Sequence, residues 1–210
     1  MSQTSRNQTY EFILFTVKPG EMEAYRKLRV PFKATLRRFP GFRQSEVYQN
    51  IDDPLELLDQ EIWDNLEDAL RADRQIQEDE YFKIILSPLK EVSCLDSTYL
   101  LEEIAREEDM QPAGYVEFYI YTVDPEQRIP YLQARKVFFE SLLEHADGFL
   151  RVRAFESWQD CGTHFNLVHW TGQEAARNAR HDLRIHLAFR AFRQTLRGCC
   201  LHKRYKALAA

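Results

Sequence analysis

Glu117, Tyr119 and Tyr121 recur at a spacing of two, so an extended chain would place a carboxylate and two phenols on one face. A carboxylate in that company can accept a proton from a bound hydroxyl, while phenols can hold an oxygen by hydrogen bonds. The same tyrosines would equally serve as strand packing with their hydroxyls at the rim. All six histidines (His145, His164, His169, His181, His186 and His202) lie in the second half of the chain. Imidazole titrates near neutrality and suits proton transfer, whereas a surface or capping role is the simpler reading of any one of them. His169 and Trp170 are adjacent at the end of an expected strand, so only one of them can enter a given pocket. His181 and His186 are five residues apart, about 140° round a helix, which is not the spacing of a helical metal pair.

Cys161-x-x-His164 and Cys199-x-x-His202 have the residue types of a tetrahedral zinc site. Neither is Cys-x-x-Cys, and a strand is expected between them, so no metal is assigned. Adjacent Cys199 and Cys200 are expected to point to opposite faces of a strand as buried thiols. A Gly-rich phosphate loop, a nucleophile elbow, an acidic metal cluster and a dinucleotide fingerprint are all missing from a sequence with only seven glycines, so no cofactor is expected.

These residues sit in a chain that repeats itself. YVEFYIYTV at 115–123, followed by Asp124-Pro125, matches YEFILFTV at 10–17, followed by Lys18-Pro19. An offset of 106 pairs Thr16/Thr122, Tyr25/Tyr131 and Arg29/Arg135; an offset of 107 then pairs Gly41/Gly148, Trp63/Trp170, Glu67/Glu174 and Ala72/Ala179. The matches fall in order and include Gly, Pro and Trp, so the period marks a duplicated domain, not a short solenoid repeat. Residues 8–100 and 114–207 are the two units, and the acidic 101–113 is the expected linker. In the first unit, alternating apolar residues at 10–17 predict a strand, and Met22, Tyr25, Leu28, Phe32 and Leu36 predict a helix over 21–38 that Pro31 should kink. A hairpin over 43–50 and 57–63 follows, then a helix from Asn65 and a strand over 91–100. In the second unit the strands are expected at 115–123, 150–158, 164–170 and 199–206, with helices at 125–145 and 173–197. The order βαββαβ, twice, predicts an α+β protein of two ferredoxin-like units. Each sheet would have one uncovered apolar face, so the two are expected to pack together as one intrachain α/β barrel.

Composition limits the partners. The net charge is −5, divided as −9 over residues 1–112 and +4 over 113–210, with no concentrated basic run, so docking of the halves is expected and nucleic acid is not. The longest apolar runs fall far short of the roughly 18 residues that span a bilayer. The polar start MSQTSRNQT and four unpatterned cysteines point to a cytoplasmic protein with reduced thiols.

The T-V-x-P-G of the first strand, the Gly-Phe after the first helix, and Trp63 or Trp170 before x-x-x-E-x-A resemble the antibiotic-biosynthesis-monooxygenase type of dimeric α/β-barrel protein. The resemblance covers nearly the whole chain, twice, and implies that one chain supplies the barrel that two subunits make in smaller relatives, with room for a homodimer of the whole. It also implies a ligand pocket inside a unit, between sheet and helices, lined by first-strand side chains. In those terms Glu117 and His181 are the candidate bases, and Tyr119, Tyr121, His169, Trp170 and His186 the candidate substrate contacts. The implied activity is cofactor-independent oxygenation of a small aromatic or polyphenolic metabolite: a base deprotonates the phenol and the anion reduces O2. A non-catalytic barrel that binds a hydrophobic metabolite, or a haem-binding relative, is the alternative. Tyr119 stands where the haem-degrading branch carries Asn, so haem degradation is not implied.

Overall fold

The computed structural model describes residues 8–106, 114–183 and 187–208. The chain divides into two compact units. One runs as far as Tyr99 and takes back Leu208, whose N–H donates to Val47 O at 2.9 Å; the other is Leu100–Ala207.

In the first unit, β1 (Thr9–Val17), α1 (Met22–Leu36), β2 (Phe42–Asn50), β3 (Glu56–Trp63), α2 (Leu66–Ile76), α3 (Glu80–Ile85) and β4 (Leu89–Ala105) follow one another. The sheet is antiparallel in the order β4-β1-β3-β2, the ferredoxin-like arrangement. Period-two alternation sends Phe15 and Val17 of β1 to the helix side, where they meet Tyr25 of α1, Val47, Leu57 and Ile85. A second cluster joins Leu36 and Trp63 to Ala69, Ala72 and Ile76, and the small alanines let α2 lie close on the sheet. Asn65 caps α2 by accepting from Asp68 N, and Asp79 caps α3 through Tyr81 N and Phe82 N. Pro31 does not divide α1, which remains one helix from Met22 to Leu36. β4 outruns the expected 91–100: its last residues, Leu100–Ala105, belong to the second unit, where Glu102 meets Arg135 at 3.2 Å and Arg106 N bonds Leu150 O. Residues 107–113 of the expected linker lie outside the described residues.

The second unit repeats the plan. β5 (Tyr115–Thr122) leads through a single 3-10 turn at Pro125–Gln127 into α4 (Arg128–His145), then β6 (Phe149–Ser157), β7 (Thr163–Trp170), α5 (Gln173–Leu183), α6 (Leu187–Gln194) and β8 (Gly198–Ala207). The sheet order is β8-β5-β7-β6, again antiparallel throughout. The expected single helix 173–197 is α5 and α6, with 184–186 between them outside the described residues. One corner recurs in both units. Gly41 (φ +82°) and Gly148 (φ +73°) take the left-handed conformation that glycine adopts without strain. Each carbonyl then accepts the N–H that follows the tryptophan strand, from Asp64 at 2.7 Å and Thr171 at 2.9 Å. Phe42 and Phe149 meet Trp63 and Trp170 edge to face at 5.2 and 5.6 Å.

Candidate functional site

Strand alternation on β5 carries Glu117, Tyr119 and Tyr121 into a cavity of about 440 Å³ inside the second unit. Asn166, Val168 and Trp170 of β7 share that face, because each lies one pleat from the next. The opposite wall is aromatic: Phe138 and Phe139 from α4 and Phe189 and Phe192 from α6, with Phe138 stacked on Phe192 at 5.0 Å. Arg180 of α5, Arg193 of α6 and His202 of β8 complete the polar part of the lining.

The centre of the site is Glu117, whose side chain is 2% exposed. Arg180 Nη1 donates to its Oε1 at 2.9 Å, and His202 Nε2 lies 3.3 Å from the same oxygen. The imidazole of His202 is stacked flat on the Tyr119 ring, centroids 4.2 Å apart and planes 5° apart, because the two residues are register partners across β5 and β8. Burial drives the Tyr119 phenol well above its ordinary pKa, and the charge of Glu117 adds to that. Tyr121 is raised for the same first reason, with Tyr131 next to it, their hydroxyls 3.1 Å apart. Both phenols therefore stay protonated and can donate. Behind them His164 is wholly buried, 4.3 Å from the Tyr131 ring, and desolvation pushes its pKa down to about 4, so it is neutral. Asn166 Oδ1 and Trp170 Nε1 are buried without a hydrogen-bond partner.

Of the residues singled out from sequence, the structure brings Glu117, Tyr119, Tyr121 and Trp170 together. It does not bring His169 or His181. His169 is a buried residue on the other face of β7 from Trp170, and burial, then Arg153 and Arg151, holds its pKa well below the ordinary value. His181 is exposed and lines a separate depression with Asp147 and Asn178. One residue earlier on α5, about 100° round the helix, Arg180 is the side chain that reaches the cavity. His186 lies outside the described residues.

Sequence reasoning missed Arg180, Arg193, Asn166 and His202 as site residues. Asn166 could have been found four residues before Trp170 on one strand face. His202 was hidden by a register shift in β8 between the partners of Ile120 and Tyr121. The same irregularity corrects the expectation for Cys199 and Cys200: both are exposed, and Cys199 lies at the cavity. Cys161 is exposed while His164 is buried, and among the described residues no group of three or more His, Cys, Asp or Glu is placed to hold a metal.

In the first unit the counterparts of this site are different chemistry. Glu11 remains, with Ser97 Oγ donating to it at 2.9 Å, but Ile13 and Phe15 replace the tyrosines. Asp59 and Asp73 stand at the positions of Asn166 and Arg180. Glu11, Asp59 and Glu61 are all pushed upward in pKa, first by burial.

No helix among the described residues is long and apolar enough to cross a membrane. Among curated proteins, none matches the chain. An anthrone oxidase-like protein of known structure superposes with a TM-score of 0.73 at 15% identity, over 100% of this chain and 94% of its own. A ferredoxin-fold protein from Listeria monocytogenes, related to antibiotic biosynthesis monooxygenases, covers 100% of both chains at 10% identity and a TM-score of 0.56. A mutant chlorite dismutase from Candidatus Nitrospira defluvii covers 99% of this chain and 93% of its own at 11% identity and 0.65. At these identities the likeness is one of fold. The family profile matches residues 10–75, in the first unit, although the cavity is in the second. The first unit is thus similar to the antibiotic biosynthesis monooxygenase family over residues 10–75, and the chain has a fold shared with proteins related to that family over both of its units.

Proposed function

We propose that the second unit binds a small hydroxyaromatic compound and that the protein acts on it as a cofactor-independent oxygenase. The observation that carries this reading is the Glu117–Arg180–His202 cluster opening into an aromatic-walled cavity. His202, oriented by Glu117 and held flat by Tyr119, takes the phenolic proton; Glu117 then stabilises the imidazolium. The deprotonated ring is an electron-rich carbon nucleophile. It adds O2 at a ring C–H carbon, and protonation gives a hydroperoxide. Loss of water across that C–H and the O–O bond leaves a carbonyl, so one oxygen atom enters the product and the other leaves as water. The apolar wall keeps the anion from bulk solvent.

The test is oxygen uptake with trihydroxyanthracene and dihydroxynaphthalene, beside direct titration of binding. Glu117→Gln and His202→Gln should each lower turnover by about 10²-fold or more while leaving affinity within several-fold. His181→Ala should behave as wild type. Full activity in both Glu117→Gln and His202→Gln would refute the mechanism.

Haem binding is a second reading, supported by the chlorite dismutase likeness. Among the described residues His202 is the histidine that lines the cavity, and its Nε2 is engaged with Glu117, so ligation through it would require that contact to open. The geometry favours the phenol. A Soret band that depends on His202 on titration with haem would favour the second reading.

A further inference from the structure

The charges around the cavity do not balance. Among the described residues Glu117 is its only acidic lining residue, and Arg180 and His202 are both committed to that carboxylate. Arg193 is a third basic side chain on the lining, exposed at the cavity edge and belonging to the same helix that supplies Phe189 and Phe192. No carboxylate of the described residues pairs with it, in contrast to Arg197, four residues on, which meets Asp124 at 3.6 Å. A cavity with a neutralised ion cluster at one point and an unmatched guanidinium at another selects for charge as well as shape.

We infer that the ligand is a hydroxyaromatic acid, a ring system whose phenol meets Glu117 and His202 and whose carboxylate or equivalent anion is received by Arg193. The inference rests on the phenol-site reading and adds to it the charge of the substrate class. The planar guanidinium suits a carboxylate through two parallel N–H donors, and an exposed position spares the anion most of its desolvation cost. Arg193 is then a specificity residue and takes no part in the proton transfer.

The experiment is titration of the full chain with two probes of one shape, 6-hydroxy-2-naphthoate and its neutral carboxamide, whose hydroxyl and acid or amide groups stand at opposite ends of the ring system. Wild type should bind the acid more tightly, on the order of tenfold, with the preference shrinking as salt rises. Arg193→Gln should abolish the preference, mainly by weakening binding of the acid. Arg190→Gln, an exposed neighbour on α6 outside the lining, should keep it. Equal binding of the two probes by wild type, or a preference that survives Arg193→Gln, would overturn the inference while leaving the phenol site standing. Failure of both probes to bind wild type would overturn the phenol-site reading and this inference with it.

Discussion

Asp59→Asn should change how stability depends on pH, and the direction runs against the usual behaviour of carboxylates. Asp59 is 7% exposed on β3 of the first unit, where it accepts from Ser45 Oγ at 2.8 Å. Burial raises its pKa from 3.8 to about 6, against the pull of Arg29. Glu61, beside it, is raised as well by burial and then by the charges of Asp59 and Glu11. A carboxyl group whose pKa is raised by folding is fully stabilising only below its unfolded value. Its contribution is lost as pH climbs from about 4 to about 6, and then levels off. A shift of two pKa units amounts to roughly 3 kcal/mol, of which about half is lost between pH 5 and pH 8. For a chain of this length that half corresponds to about 3–6 °C in Tm. The assay is thermal unfolding of wild type and Asp59→Asn across this range. Asparagine can still accept from Ser45, so the variant should gain on wild type as pH rises and lose that advantage in acid. Buried neutral histidines act in the opposite sense, but they are common to both proteins and cancel in the difference. A difference between variant and wild type that stays constant with pH would refute the reasoning.

Three further outcomes follow from the geometry. His164, with its pKa lowered to about 4, contributes stability that is present above its unfolded value and lost as pH falls from about 6.5 towards 4; His164→Gln should flatten that acid limb by roughly 3 kcal/mol in a denaturant titration at each pH. Gly148→Ala sets a Cβ 2.5 Å from Thr171 Oγ1 and 2.6 Å from Ala175 Cβ at a positive φ, and should cost about 1–3 kcal/mol in chemical unfolding. Arg128→Ala leaves the 2%-exposed carboxylate of Glu156 without its guanidinium at 3.0 Å; unfolding should show a loss of about 2 kcal/mol, and Glu156→Gln in the same background should recover part of it.

Local pattern and local chemistry agree through most of this chain, which is why the fold was legible. Alternation at 10–17 and 115–123, the Pro-Gly and Asp-Gly turns, and Trp63 and Trp170 at equivalent strand ends all describe short-range features. The structure realises them as two βαββαβ units. Site legibility followed the same division. Glu117, Tyr119 and Tyr121 could be placed on one face because a strand has a period of two and β5 is regular. His181 was favoured over Arg180 because the sequence does not say which way a helix is turned about its own axis. That rotation buries Ala176 and Ala179. His202 was unreadable for a different reason: a shift of register inside β8 moves its side chain relative to Cys199, and such irregularities leave little mark in one sequence.

The amino-acid sequence by itself determined the βαββαβ plan of each unit, the division into two units, the glycine corners and the carboxylate-phenol face of β5. These depend on backbone preferences and hydrophobic periodicity that act over a few residues. Only the tertiary structure decided that Glu117 would be held between Arg180 and His202, that Tyr119 would carry an imidazole on its face, and that Arg193 would join the lining. Those side chains come from four separate elements, and their convergence is a matter of helix rotation and strand register, fixed by the packing of the whole unit.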